Sequence, residues 1–211
     1  MHKNLYPITK EGFIPLLIAI VVTVVLMLLD LELLTFFSFV VTLFIAYSFR
    51  NPERELLALE EGAVIAPCDG TIRSIETLDA GESFAYRVEI EGSYKDTSLL
   101  RAASDATVTD IALFKGTRMP KSSKLFSDLN ESAVITFKDK NENCFEVKHQ
   151  LKRSFFPLSI DLNVGEKVQH SARYGVAHNA ITTLYLPANF TLNVSVGQEL
   201  KAAESLMGYF S

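Results

Sequence analysis

The sequence predicts a mainly β soluble domain, barrel- or sandwich-like, tethered by an N-terminal two-helix transmembrane hairpin. Three observations carry that reading. Two charge-free apolar runs, residues 13–29 and 33–49, lie side by side near the start of the chain. From Gly62 onward the pattern changes to short period-two segments separated by Gly, Asn and Asp. At 211 residues, the chain has room for one such domain and its anchor.

Each apolar run is 17 residues long, close to the lower limit of about 17 for a helix that crosses a bilayer. Asp30 and Glu32 separate the runs. Acids at the centre of one long span would be costly, so two spans with a turn between them fit better. Lys3 and Lys10 precede the first run, and Arg50 and Arg54 follow the second. With cations at the outer ends and acids in the turn, the positive-inside rule puts both ends in the cytoplasm. No small-residue cleavage site follows either run, which argues against a removable signal peptide. The expected organisation is a hairpin over residues 1–49, a linker with a short helix over 50–61, and a β domain over 62–211. The expected location is the inner cell membrane, with the domain in the cytoplasm.

The β domain opens with Ala63-Val64-Ile65-Ala66, which runs into Pro67 and the turn dipeptide Asp69-Gly70. Alternation then predicts strands over 71–75, 86–90, 133–137, 144–148 and 190–196. Residues 138–143 are polar between two strands and predict a hairpin loop. A helix is expected around 122–129. A net charge of −5 gives no basic footprint, so nucleic acid is not an expected partner. Cys68 and Cys144 match no metal spacing and are expected to be reduced thiols. His2, His149, His170 and His178 show no ligand spacing either, so no metal is expected.

Several segments in order resemble the short bacterial and archaeal type of phosphatidylserine decarboxylase. Phe-Arg-Asn-Pro-Glu-Arg at 49–54 is similar to the Phe-Arg-Asp-Pro-x-Arg that follows the family's membrane helices. Ala-Pro-Cys-Asp-Gly at 66–70 resembles its Ala-Pro-Ala-Asp-Gly. Asn130-Glu131 resembles its Asn-Glu-Arg, with Ser132 in place of the arginine. Lys152-Arg153 sits where the family has Ala-Arg-Arg-Ile, and residues 194–200 are similar to its closing Val-x-Val-Gly-x-x-Val. The resemblance implies a membrane protein of phosphatidylethanolamine metabolism. In that family a Gly-Ser pair before Tyr-Leu-Pro undergoes self-cleavage to a pyruvoyl group, which forms a Schiff base with the substrate amine and acts as electron sink.

The departures fall on that chemistry. Counting back from Tyr185-Leu186-Pro187 puts the Gly-Ser pair on Asn179-Ala180, whereas counting forward from Gly175 puts it on Ala180-Ile181. Neither register yields a serine. Thr182 and Thr183 lie nearby, but no glycine precedes either one. Of the family's Asp-His-Ser processing triad, Asp69 matches the Asp, Ser98 occupies the His position within Asp96–Ala103, and Ala180 replaces the Ser. Asp69 is thus an orphan triad member, or simply half of a good turn. His178 is expected in a surface loop, and a base without a nucleophile would do nothing there. No pyruvoyl cofactor is therefore expected. Arg101, Arg153 and Lys152 are candidate contacts for a headgroup phosphate or carboxylate.

The leading expectation is a non-self-processing homologue (a pseudoenzyme) that binds aminophospholipid in the membrane, forms a homo-oligomer, or partners an active decarboxylase. One alternative is an active carboxy-lyase with an atypical site. Another is a membrane-tethered β-barrel adaptor without lipid chemistry. Residues 164–168 and 196–200 resemble segments of biotin- and lipoate-carrying domains, but the modified-lysine tripeptide is missing.

Overall fold

The computed structural model describes residues 6–54, 62–78 and 83–211, and the chain divides into two compact units, Met1–Glu53 and Arg54–Ser211. In the first unit a 3-10 turn, Lys10–Gly12, leads into α1 (Phe13–Leu28), and α2 (Glu32–Ser48) follows a tight turn. Asp30 takes a left-handed conformation there, with φ 54°. Glu32 falls in the first turn of α2 rather than in the connection, where a carboxylate suits the positive end of the helix dipole. The segment Lys10–Leu28 spans 19 residues at a mean hydropathy of 2.5, long and apolar enough to cross a membrane. At 17 residues α2 is shorter.

Apolar side chains such as Leu17, Ile18, Phe36 and Phe37 are exposed on these helices. Polar contact between the helices comes from hydroxyls. Thr23 Oγ1 lies 2.7 Å from Ser38 Oγ and 3.1 Å from Thr42 Oγ1. The open end of the hairpin is closed by backbone bonds from Thr9 N–H to the Phe49 carbonyl and from Asn51 N–H to the Pro7 carbonyl, at 2.9 and 2.8 Å.

The second unit is built from antiparallel strands: β1 (Ala63–Ile65), β2 (Gly70–Thr77), β3 (Tyr86–Glu91), β4 (Leu99–Arg101), β5 (Ala106–Phe114), β6 (Ser132–Asp139), β7 (Cys144–Leu151), β8 (Ser159–Ile160), β9 (Lys167–Val168), β10 (Arg173–Val176), β11 (Ala180–Leu186), β12 (Phe190–Leu192), β13 (Glu199–Leu200) and β14 (Leu206–Phe210). One sheet has eight strands in the order β13-β2-β3-β11-β7-β6-β5-β9, and two three-stranded sheets run β1-β14-β12 and β4-β10-β8. Among the described residues the large sheet runs from β13 at one edge to β9 at the other. Strand β11 lies between β3 and β7 and is buried along almost its whole length. Beneath it Phe137 and Phe145 stack at 5.2 Å, within a core that includes Val88, Ile90, Ile135, Val147 and Leu184.

The strands expected over 63–66, 71–75, 86–90, 133–137 and 144–148 are present, mostly longer than predicted. Two expectations are corrected. The run 190–196 is a strand only as far as Leu192, where its pairing with β14 ends and a turn takes over, with Gly197 N–H bonded to the Ile72 carbonyl. The helix at 122–129 shrinks to α3 (Phe126–Leu129), because Pro120 and Ser123 form a turn first. Of the helix expected within 51–61, residues 51–54 are not helical and 55–61 lie outside the described residues.

Candidate functional site

Three distant segments meet at the start of β11. Asp69, from the turn before β2, Thr97, from the turn before β4, and Asn179-Ala180 line one small cavity of about 10 Å³, together with Cys68, Asp96 and Thr182. That volume accommodates roughly one water. Ser98 lies next to it in sequence but is not among the lining residues. It is buried, and its carbonyl accepts the Ala177 N–H at 2.8 Å.

Asp69 is held on all sides. Arg54 donates from Nη1 to Oδ1 at 2.5 Å and from Nη2 to Oδ2 at 2.6 Å. The backbone N–H of Ala202 reaches Oδ1 at 2.8 Å, and that of Thr97 reaches Oδ2 at 3.2 Å. A carboxylate has about four acceptor sites, so the set is filled. Burial alone would raise the Asp69 pKa, but Arg54 and the two N–H groups outweigh it and hold the carboxyl below its ordinary value. The same guanidinium also donates to the Ala202 carbonyl at 2.7 Å. Asp69 and Arg54 therefore tie the Cys68–Gly70 turn to residues 97 and 202.

Asn179 adopts φ 50°, the left-handed region that glycine and asparagine tolerate best. Ala180 begins a regular strand. Of the two registers for the Gly-Ser pair, this geometry favours Asn179-Ala180. The Asn179 carbonyl accepts the Lys152 N–H at 2.9 Å, and its side-chain amide donates to the Lys152 carbonyl at 2.7 Å. The two threonines that follow are buried in mid-strand. His178 is not at the surface as expected. It is buried, with the ring centroids of Phe156 and Tyr94 4.8 and 6.5 Å from its own.

A buried polar chain leads from the cavity into the core. Thr182 Oγ1 lies 2.8 Å from His149 Nδ1, and His149 Nε2 lies 2.6 Å from the Tyr174 hydroxyl. Burial lowers the His149 pKa to about 3, so the ring is neutral, donating at one nitrogen and accepting at the other. At the cavity end, burial pushes the Cys68 thiol up to about 12 against a hydrogen bond from Thr182. A thiol so shifted is protonated near neutral pH and is a poor nucleophile.

On the other side of Asn179 lies a larger cavity of about 340 Å³, lined by Glu91, Pro120, Lys121, Ser122, Lys152, Arg153 and Asn179. Its acid, Glu91, is paired with Lys152 and Arg73, and Glu89, next on the same face of β3, is paired with Lys121 at 2.8 Å and Arg87 at 2.5 Å. Burial would raise both glutamates, and these cations more than reverse it. Arg153 is exposed at the cavity, with φ 44°. The expected headgroup contacts Lys152 and Arg153 are thus together, whereas Arg101 is elsewhere. It is 5% exposed and donates to the Ser171 carbonyl and hydroxyl at 3.2 and 3.3 Å.

Sequence reasoning missed Arg54 as the partner of Asp69, although it closes the 49–54 motif. It also missed Lys121 and the His149 chain. His149 and Thr182 face each other across β7 and β11, a pairing set by strand register that leaves no local signal.

Similarity to known proteins covers both units. A family profile described as phosphatidylserine decarboxylase matches residues 41–208. The phosphatidylserine decarboxylase proenzyme of Geotalea uraniireducens is 26% identical over 226 residues, covering 99% of each chain. That of Desulfotalea psychrophila is 28% identical over 209 residues, covering 96% of each. A Streptomyces avermitilis proenzyme is 30% identical over 157 residues, covering 73% of this chain and 68% of its own.

Proposed function

The chain belongs to the phosphatidylserine decarboxylase family, and we propose that it serves phospholipid metabolism as a non-self-processing member that binds aminophospholipid headgroups. The observation that supports this most is Ala180. It occupies the point where the Asp69, Thr97 and Asn179 segments converge, and it has a methyl group where self-cleavage needs a hydroxyl. Ile181, in the other register, is no better. The residues at 179–181 do not fit a pyruvoyl group. Asp69, with its four acceptor sites filled, is a structural tie in this reading and not the orienting member of a triad.

The cavity beside Asn179 suits a headgroup. An aminophospholipid such as phosphatidylserine presents a phosphodiester, a carboxylate and an ammonium. Arg153 offers donors for the first two, Lys121 and Lys152 add theirs on exchanging Glu89 and Glu91 for the ligand's anions, and Glu91, so released from Lys152, offers an acceptor for the third. The relatives are named as decarboxylase proenzymes, so an intact decarboxylase or a second copy of this chain is the natural partner. The anchor in this reading is a two-span hairpin in the inner membrane, with the β domain in the cytoplasm. An alkaline phosphatase fusion after residue 60 is then inactive and one at residue 31 active, and the reverse pattern refutes the topology. The functional reading itself is tested by equilibrium binding of phosphatidylserine and phosphatidylcholine in mixed micelles to the purified full chain. Preference for phosphatidylserine supports it, and equal binding of the two lipids refutes it.

A further inference from the structure

Residues 113–130 concentrate cations in an otherwise acidic chain. Lys115, Arg118, Lys121 and Lys124 stand against Asp128 alone, in a protein of formal charge −5. Exposed apolar side chains share the stretch: Leu113 at 61%, Phe114 at 46%, Leu125 at 51% and Leu129 at 41%. Leu125 and Leu129 lie one helical turn apart, with the Leu129 N–H bonded to the Leu125 carbonyl, so they share a face. The Phe114 ring and the Leu129 carbonyl both close on Gly116, which places the aromatic ring beside that turn.

The stretch is firmly built. Thr117 and Asn130 pair in a bridge that closes an Ω-type loop. Asn130 is fully buried. Its amide donates to the Met119 and Leu151 carbonyls, both at 2.8 Å, and its oxygen accepts the Met119 N–H at 3.0 Å. Glu131 takes Arg118 at 2.7 Å, so the Asn130-Glu131 motif acts as the lock of the loop. Phe126 points inward as its own core residue, and Gln150 donates to the Phe126 and Ser127 carbonyls at 3.0 Å. A backbone held this way has no freedom to fold Leu125 and Leu129 inward.

We infer that residues 113–130 form a bilayer-docking surface for anionic phospholipid. Phe114, Leu125 and Leu129 enter the boundary between headgroups and acyl chains, while Lys115 and Lys124 meet lipid phosphates. Charge complementarity selects this occupant. Arg118 and Lys121 are paired with Glu131 and Glu89, whereas Lys115 and Lys124 have no acid in ion-pair range among the described residues. Each such cation strengthens attachment to an anionic surface by about fivefold. The inference goes beyond the headgroup reading, because docking requires no occupant in the cavity.

The test uses the full chain in a Cys144→Ser background, since Cys68 is buried. An environment-sensitive fluorophore is placed at Leu125→Cys or, as control, at Val164→Cys, a position 62% exposed. Vesicles of phosphatidylcholine, with or without phosphatidylglycerol, carry spin-labelled headgroups, and flotation isolates vesicle-bound protein before quenching is read. Docking predicts quenching at position 125 about threefold above that at 164 in anionic vesicles. Lys115→Gln with Lys124→Gln should remove roughly half or more of that excess. Equal quenching at the two positions, or equal quenching in both vesicle types, overturns the inference. So does protection at 125 that tracks protein density, which would mark a protein partner. Flotation reports the helical anchor separately, and a chain that fails to float with anionic vesicles overturns anchor and docking together.

Discussion

On one side of Asn179, the space around Asp69 and Ala180 amounts to about 10 Å³, and both acids that line it already have donors, Asp69 from Arg54 and Asp96 from Ser93. On the other side, about 340 Å³ is edged by Lys121, Lys152 and Arg153. The two cavities share one residue and differ in nearly everything else. The first has the placement expected of a processing site, but its carboxylate is spent on Arg54, its thiol is protonated, and residue 180 is an alanine. The second is open and cationic at its rim. The contrast sets out what the proposed reading requires: a scaffold without the groups that break bonds, beside one with groups that recognise charge.

The largest expected effect comes from breaking the ion pair at the closed cavity. Arg54→Ala leaves the Asp69 carboxylate buried without its cation, which should cost about 3–5 kcal/mol of stability. Thermal denaturation of the detergent-solubilised chain will show it. Replacing both residues by leucine should lose less than either single change, since no charge is then stranded. The pH dependence has a definite sign. The folded Asp69 pKa lies below the ordinary 3.8, so its contribution is full above that value and is lost as pH falls through the lower folded one. If Arg54→Ala melts like the parent chain, the closed cavity is not held by this pair.

A smaller effect comes from the chain of hydroxyls behind it. Burial keeps folded His149 near 3, against an ordinary 6.5. Between those values the unfolded chain binds the proton and the folded one does not. Stability therefore falls as pH drops below 6.5, by about 1.4 kcal/mol per unit, or roughly 2 kcal/mol by pH 5. Urea unfolding at pH 7 and pH 5 should show this slope in the parent chain and a shallower one in His149→Gln.

The open cavity gives the mildest change. Lys152→Ala or Arg153→Ala should weaken binding of phosphatidylserine micelles by about three- to tenfold, the effect of one partly solvated charged hydrogen bond. Arg101→Ala should leave that binding unaltered, because Arg101 lies outside the cavity. Equal effects from all three would erase the distinction between the two regions.

How legible this was in the sequence depends on the residue. Period-two alternation located β3, β6 and β7 because each has one buried face. It was blind to short strands such as β4, β8 and β13, whose pairing depends on partners far along the chain. The motif at 66–70 drew attention to Asp69, but not to Arg54, since an ion pair across a fold leaves no local pattern. Lys152-Arg153 was visible as a charged pair, and only the folded loop brings Lys121 beside it. His178 was misjudged because its polarity said surface, whereas Phe156 and Tyr94 cover it in three dimensions.

The central claim is that residue 180 no longer supports self-cleavage, and intact-mass spectrometry of the purified full chain tests it most directly. The account predicts one species of about 23.5 kDa, and the same result when Asn179→Gly and Ala180→Ser are introduced without further change, because Asp69 stays bound to Arg54. Two fragments from the parent chain, with the smaller one beginning near residue 180, would contradict it.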